Sequence, residues 1–251
     1  MTADFSIVWP ALIAGLLITA THAPLGVQVL NRGIVFIDLA VAQIAGLGVI
    51  LADAFGFEPQ GFAVQVAALS AALAGALVLN WTDKRWPEIQ EATIGVTFIV
   101  AANAAILLLA SNPHGAEHLK DLLIGQILWV NSRVLVYVGV IYAAILAAWF
   151  GWARKIGGIG FYLLFAATVT VSVQLVGIYL VFTTLIVPAL ATRHLVRNRL
   201  AGCYLVGGVG YAVGLGISLW SDLPPGPLVV CCMTALGLVV LALTSRRRVP
   251  T

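Results

Sequence analysis

Two ionisable side chains stand inside apolar stretches, where a charge costs a few kcal/mol unless protein or water shelters it, so each is read first as a functional group. Asp38 leads: it lies in FIDLAVAQIAGLG, about one turn beyond Asn31-Arg32, with Gln43 roughly a turn and a half further on. His22, two residues before Pro24, interrupts the first apolar run, and a neutral imidazole is a favoured ligand for zinc and similar ions. Each has a plainer reading. Asp38 is then a membrane-edge carboxylate paired with Arg32, and His22 a hydrogen-bonded packing residue. Asp53 reads as a solvated helix end, and Gln65, Asn80, Asn103, Gln126 and Gln174 as interhelical hydrogen-bond partners.

Other clusters offer less. His114 and His118 form an i, i+4 pair that, with Glu117 and Asp121, would hold a metal in an external loop, although a plain polar loop explains them as well. The three cysteines build no disulfide framework, and adjacent Cys231-Cys232 sit in an apolar run as small hydrophobes. No GxxxxGK[ST] phosphate loop, HExxH or Ser-His-Asp arrangement occurs, which disfavours catalysis and assigns any ATP hydrolysis to another chain.

The elements that must position these groups follow from composition. Of 251 residues, 61% are hydrophobic and 9% charged, against about 25% charged in soluble domains, so too little polar surface exists to cover a soluble core. Apolar runs of about twenty residues without alternation exclude an outer-membrane barrel. The fold class is an all-α polytopic membrane protein: a single transmembrane domain over residues 1–251. Its nine expected spans are Ile7 to Leu30, Ile34 to Phe57, Phe62 to Trp81, Ala92 to Ala110, Val134 to Trp152, Gly160 to Leu175, Gly177 to Ala191, Leu200 to Leu219 and Pro227 to Thr244. The first twenty residues hold Asp4 and no lysine or arginine, unlike a cleavable signal, so the first span is expected to be kept. Glycines such as Gly210 and Gly214 predict close helix packing.

The uncharged stretch from Ile156 to Thr192 has basic residues at both ends, so the chain must cross and return within it. Two full spans of roughly twenty residues barely fit, and two short or broken helices meeting near Gly177 fit best; counted as one broken unit, they leave eight spans. With the amino terminus outside and the carboxyl terminus cytoplasmic, Arg32, Lys84, Arg85, Arg154, Lys155, Arg193, Arg197, Arg199, Arg246, Arg247 and Arg248 all fall inside, leaving only Lys120 and Arg133 outside. The net charge of +3 is therefore topological bias, and nucleic acid is not an expected partner.

Four segments give the chain a family likeness: PLGVQVLNRGIVFIDLA at 24–40, EATIGVTFIV at 91–100, VGIYLVFTTLIVPALATRHL at 176–195 and DLPPGPLVV at 222–230. It resembles the permease subunit of bacterial ABC transporters for zinc and manganese, the ABC-3 family, over essentially its whole length. The resemblance implies a fold related to vitamin B12 and siderophore importer permeases and residence in the bacterial cytoplasmic (inner) membrane, among its lipids. It also implies a homodimer or close pair of permease chains, a cytosolic ABC ATPase subunit and an extracytoplasmic solute-binding protein. The transported divalent metal ion, zinc by preference and manganese as the alternative, is cargo, with no cofactor bound permanently.

Relatives of this kind place Asp-x-x-x-His on the second span, one helix face presenting both ligands. Here Asp38 matches the carboxylate, Ala42 stands where the histidine belongs, and Gln43 reaches that place only if the helix is offset by one residue. Either oxygen ligation suffices or His22 supplies the missing nitrogen. A second family segment, Ala-Arg-x-x-Gly after the fifth span, packs against the ATPase and transmits its closure. WFGWARKIGG matches it, making Trp152 to Gly158 a cytoplasmic coupling helix with Trp152, Ala153, Arg154, Lys155, Gly157 and Gly158 as its coupling residues. The competing classes are a stand-alone secondary transporter, for which no internal repeat is found, an intramembrane enzyme, and an ABC permease for a metal chelate or cobalamin.

Overall fold

The computed structural model describes residues 5–58, 61–109, 123–152, 157–195, 197–221 and 223–245. Ala153, Arg154, Lys155, the His114 and His118 pair with Glu117 and Asp121, Lys120, and Arg246, Arg247 and Arg248 lie outside these residues. Nine α-helices occur among the described residues: α1 Phe5–Arg32, α2 Ile37–Ala54, α3 Phe62–Arg85, α4 Gln90–Leu109, α5 Ser132–Trp152, α6 Gly158–Val176, α7 Ile178–Ala191, α8 Arg199–Ser221 and α9 Pro225–Ser245. By length and composition eight can cross a membrane; α7, with 14 residues, is the shorter apolar helix.

The boundaries that differ from the sequence reading have local causes. Gly33 adopts φ +70° and Ile37 donates to the Ile34 carbonyl, so a turn occupies 33–36 and α2 begins at Ile37. At the other end, Gly56 (φ +80°) donates to Asp53 and Phe57 to Ala52, a Schellman closure that stops α2 at Ala54. α3 continues past Trp81 to Arg85 and stops at Trp86, which Pro87 forces out of the helical region. His22 does not interrupt α1. The helix runs through Pro24, and the Ala20 carbonyl that Pro24 cannot serve receives the Tyr204 hydroxyl at 3.5 Å.

The helices form two compact units. The first comprises residues 1–32, 124–143 and 175–251. Within it α1 packs on α7 and α8, and α9 packs on α7 and α8. Small residues set these crossings: a Cβ on Gly26 would strike the Leu185 carbonyl, Gly207 receives Thr19, and Gly210 and Gly214 of α8 receive Met233 and Val229 of α9. The fully buried Tyr211 lies against Gly15 and shares a 2.9 Å hydrogen bond with Thr184.

The second unit comprises residues 33–123 and 144–174. Here α2 packs on α3 and α4, with Gly48 against Ala67 and Ala68, Gly75 under Ile44, and Ile50 against Ala105 and Leu109. The start of α6 joins through aromatic rings, Phe161 tilted against Trp149 at 6.2 Å and edge-on to Tyr162 at 5.6 Å. Burial sorts the helices. In α1, α2 and α6, 61% of the apolar spanning window is buried, whereas α9 buries 17% and exposes side chains such as Leu238 and Leu243, as a lipid-facing helix does.

Candidate functional site

His22 is fully buried in the middle of α1. Its Nδ1 lies 3.0 Å from the Ile18 carbonyl one turn back, and a carbonyl only accepts, so the proton is assigned to Nδ1. The Thr21 hydroxyl donates to the same carbonyl at 3.0 Å. Nε2 is thereby left with a lone pair, buried and without a hydrogen-bond partner. An N–H pinned by a main-chain carbonyl, with the opposite nitrogen free, is the arrangement that orients a metal-ligating histidine. A histidine retained only for packing by hydrogen bonds would engage both nitrogens.

Asp38 occupies the second position of α2 and is also fully buried. Neither carboxylate oxygen has a hydrogen-bond partner. The helix N-terminus favours an anion there. A carboxylate enclosed without a partner is nonetheless costly, and association with a cation relieves that cost. Gln43 is buried on the same helix. Because α2 is regular from Ile37 to Ala54, five residues at about 100° each carry Gln43 roughly 140° around the axis from Asp38. The one-residue offset that would bring it onto the Asp38 face is absent, and Ala42 holds that face.

Among the described residues no three His, Cys, Asp or Glu side chains come together as a metal cage. Cys231 is exposed and Cys232 half-buried. Asp53 is half-exposed in the last turn of α2. Of the five amides read as interhelical partners, only Asn80 is buried; Gln65, Gln126 and Gln174 are exposed, and Asn103 turns back onto the Ile99 carbonyl. Of the residues expected to couple to an ATPase, Trp152 ends α5, Gly157 precedes α6 and accepts the Phe161 N–H at 3.2 Å, and Gly158 opens that helix.

One buried polar group escaped the sequence reading. Gln90, 2% exposed, donates from Nε2 to the Leu79 carbonyl at 2.9 Å and to the Tyr162 hydroxyl at 3.2 Å, and its Oε1 accepts from Thr82 at 2.9 Å. Its setting, PEIQE beside Lys84 and Arg85, reads as a polar corner. Only the packing of α6 there reveals an enclosed amide.

Comparison with known proteins bears on what such an arrangement serves. A model of the ABC 3 transport family matches residues 4–157 and 146–244. The high-affinity zinc uptake system membrane protein ZnuB of Haemophilus influenzae is 24% identical over 266 residues, covering 97% of this chain and 99% of that protein. Among solved structures, PsaBC from Streptococcus pneumoniae, in complex with a Fab, superposes with a TM-score of 0.76 at 18% identity, over 94% of this chain and 91% of that one. An inward-facing transporter described as metal-chelate type gives 0.68 at 16% identity, over 93% and 86%. At such identities the two structures speak to the shared fold alone.

Proposed function

Because the chain belongs to the ABC 3 transport family and is a multi-pass protein of the inner membrane, we propose that it is the permease of an ATP-driven importer of divalent transition-metal ions. The observation that carries the reading is that two groups, each within its own compact unit, are unsatisfied: His22 Nε2 and the Asp38 carboxylate. Each is fully buried, and each sits on one of the most enclosed helices. Neither group belongs to a closed cage among the described residues, and ligation that sparse binds an ion weakly enough to release it. Zinc is preferred because imidazole suits it, and manganese is the alternative because the carboxylate suits it. Gln43, about 7 Å further along α2, offers an amide oxygen at another point of the same helix.

The remaining parts of this reading come from the family. A second copy of the chain completes the pathway, a solute-binding protein delivers the ion outside, and a separate ATPase chain drives Trp152 to Gly158 from the cytosol, the amino terminus lying outside. The ZnuB likeness over nearly the full length of both chains supports metal uptake as the task. The test is hydrolysis by the assembled complex, with its ATPase and binding protein, across zinc, manganese and iron. Stimulation by zinc or manganese is expected, and hydrolysis indifferent to all three ions contradicts the reading.

A further inference from the structure

We propose that Gln90 and Glu91 form a mechanical link between the start of α6 and the start of α2, so that movement of the 152–158 segment reaches Asp38 through them. The proposal rests on the functional reading above, which makes 152–158 the driven element and Asp38 a ligand. It concerns one compact unit, since α2, α3, α4, the end of α5 and α6 as far as Gln174 all belong to it.

The link is built from consecutive side chains that grip different elements. Tyr162 lies one turn into α6, just after the coupling segment, 1% exposed, with its hydroxyl 3.2 Å from Gln90 Nε2. The other Gln90 bonds, to the Leu79 carbonyl and from Thr82, fix it to the end of α3, whose Asn80 Oδ1 lies over Gly158, the first residue of α6. On the opposite side, Glu91 Oε1 accepts the Phe36 N–H at 3.3 Å. Phe36 is the residue from which α2 starts, no side chain of its own capping that helix, and Asp38 follows two residues later.

Cohesion alone does not account for Gln90. In a chain this apolar the whole cluster could be built from apolar side chains with no hydrogen bonds to satisfy, and replacing a buried polar group together with its partners by apolar ones of similar shape is often neutral. An amide whose donors and acceptor are all engaged adds orientation instead: it fixes the distance and angle between α3, α4 and α6. With Glu91 fixing the turn that leads into α2, a tilt of α6 is not absorbed by sliding but passed to the residues around Asp38. Gln90 and Glu91 act through Asp38 and are positioning residues.

The experiment uses the full complex with its ATPase and binding protein in liposomes, reading zinc or manganese transported per ATP hydrolysed. Variants are Gln90→Leu, Tyr162→Phe, Glu91→Ala and Glu91→Gln. Gln90→Leu, Tyr162→Phe and Glu91→Ala are expected to keep the thermal midpoint and the hydrolysis rate near wild type while metal per ATP falls about tenfold, within the usual range of coupling between sites. Glu91→Gln keeps the acceptor for Phe36 and should keep the ratio. Combining Tyr162→Phe with Glu91→Ala should be no worse than the poorer single variant, because a serial link breaks only once. Unchanged metal per ATP in Tyr162→Phe and Glu91→Ala, or transport and hydrolysis falling in proportion, overturns the link. Should Gln90→Leu fail to fold, Tyr162→Phe, which removes one oxygen, decides. A wild-type complex that hydrolyses ATP without moving either metal overturns the functional reading itself, a distinguishable result.

Discussion

Gly125 and Gly177 meet backbone to backbone: a Cβ on Gly125 would strike Val176 and the Gly177 nitrogen, and a Cβ on Gly177 would strike Ile124 and Gly125. Both have positive φ, +69° and +80°. With ψ at 163°, Gly177 lies in a region essentially reserved for glycine, and it separates α6 from α7. The same segment carries Ile124, whose carbonyl approaches Gly226 in the first turn of α9. The break at Gly177 is thus held by contact that no side chain could occupy.

Gly177→Ala should cost about 2–6 kcal/mol, combining roughly 1–3 for the backbone conformation with about 1–3 for the collision. Thermal unfolding in detergent checks this. A loss below about 1 kcal/mol would mean that the break relaxes freely.

His22→Ala should weaken metal uptake by at least the roughly 10–100-fold that loss of even an outer partner of a metal site costs, with the chain still inserted at wild-type levels. His22→Gln, which retains a donor toward Ile18 but not the aromatic nitrogen, should fail similarly. Uptake at limiting zinc or manganese reads both. Unchanged uptake in either variant returns His22 to a packing role.

Asp38→Asn keeps size and removes charge, so uptake should fall at least as far as in His22→Ala while stability stays level or rises, because an unpartnered buried carboxylate is costly to the fold. Uptake and the thermal midpoint measured on one preparation separate the two effects. A destabilised Asp38→Asn with normal uptake would identify the carboxylate as structural.

The proposed topology is open to single-cysteine labelling after Cys203, Cys231 and Cys232 are replaced. Cysteines at Lys84 and Arg154 should react only from the cytoplasmic side, and one at Arg133 only from outside. Labelling of Arg154 from outside contradicts the assignment of the coupling segment.

The parts of this molecule legible in its sequence were those fixed by composition and length. The break at Gly177 followed from an uncharged stretch too short for two full spans between basic ends. Asp38 and His22 stood out because a charge or imidazole in an apolar run is conspicuous. What escaped depended on neighbours distant in sequence. Gln90 sits in a polar-looking corner and becomes a buried hub only when Leu79, Thr82 and Tyr162 converge on it. The start of α2 shifted to Ile37 because Gly33 turns the chain, and hydropathy does not register a positive φ. Gln65, Gln126 and Gln174 pointed the other way from expectation, since which face of an apolar helix is enclosed is set by packing and not by a lone amide.

The central claim is that this chain is a conduit driven by another subunit, and ion flux into liposomes carrying the permease with its binding protein, with and without the ATPase subunit and ATP, tests it most directly. The account predicts zinc or manganese accumulation only when both ATPase and ATP are present, lost when Arg154 and Lys155 are both changed to glutamate. Accumulation at the same rate by the permease alone, without nucleotide, would contradict it.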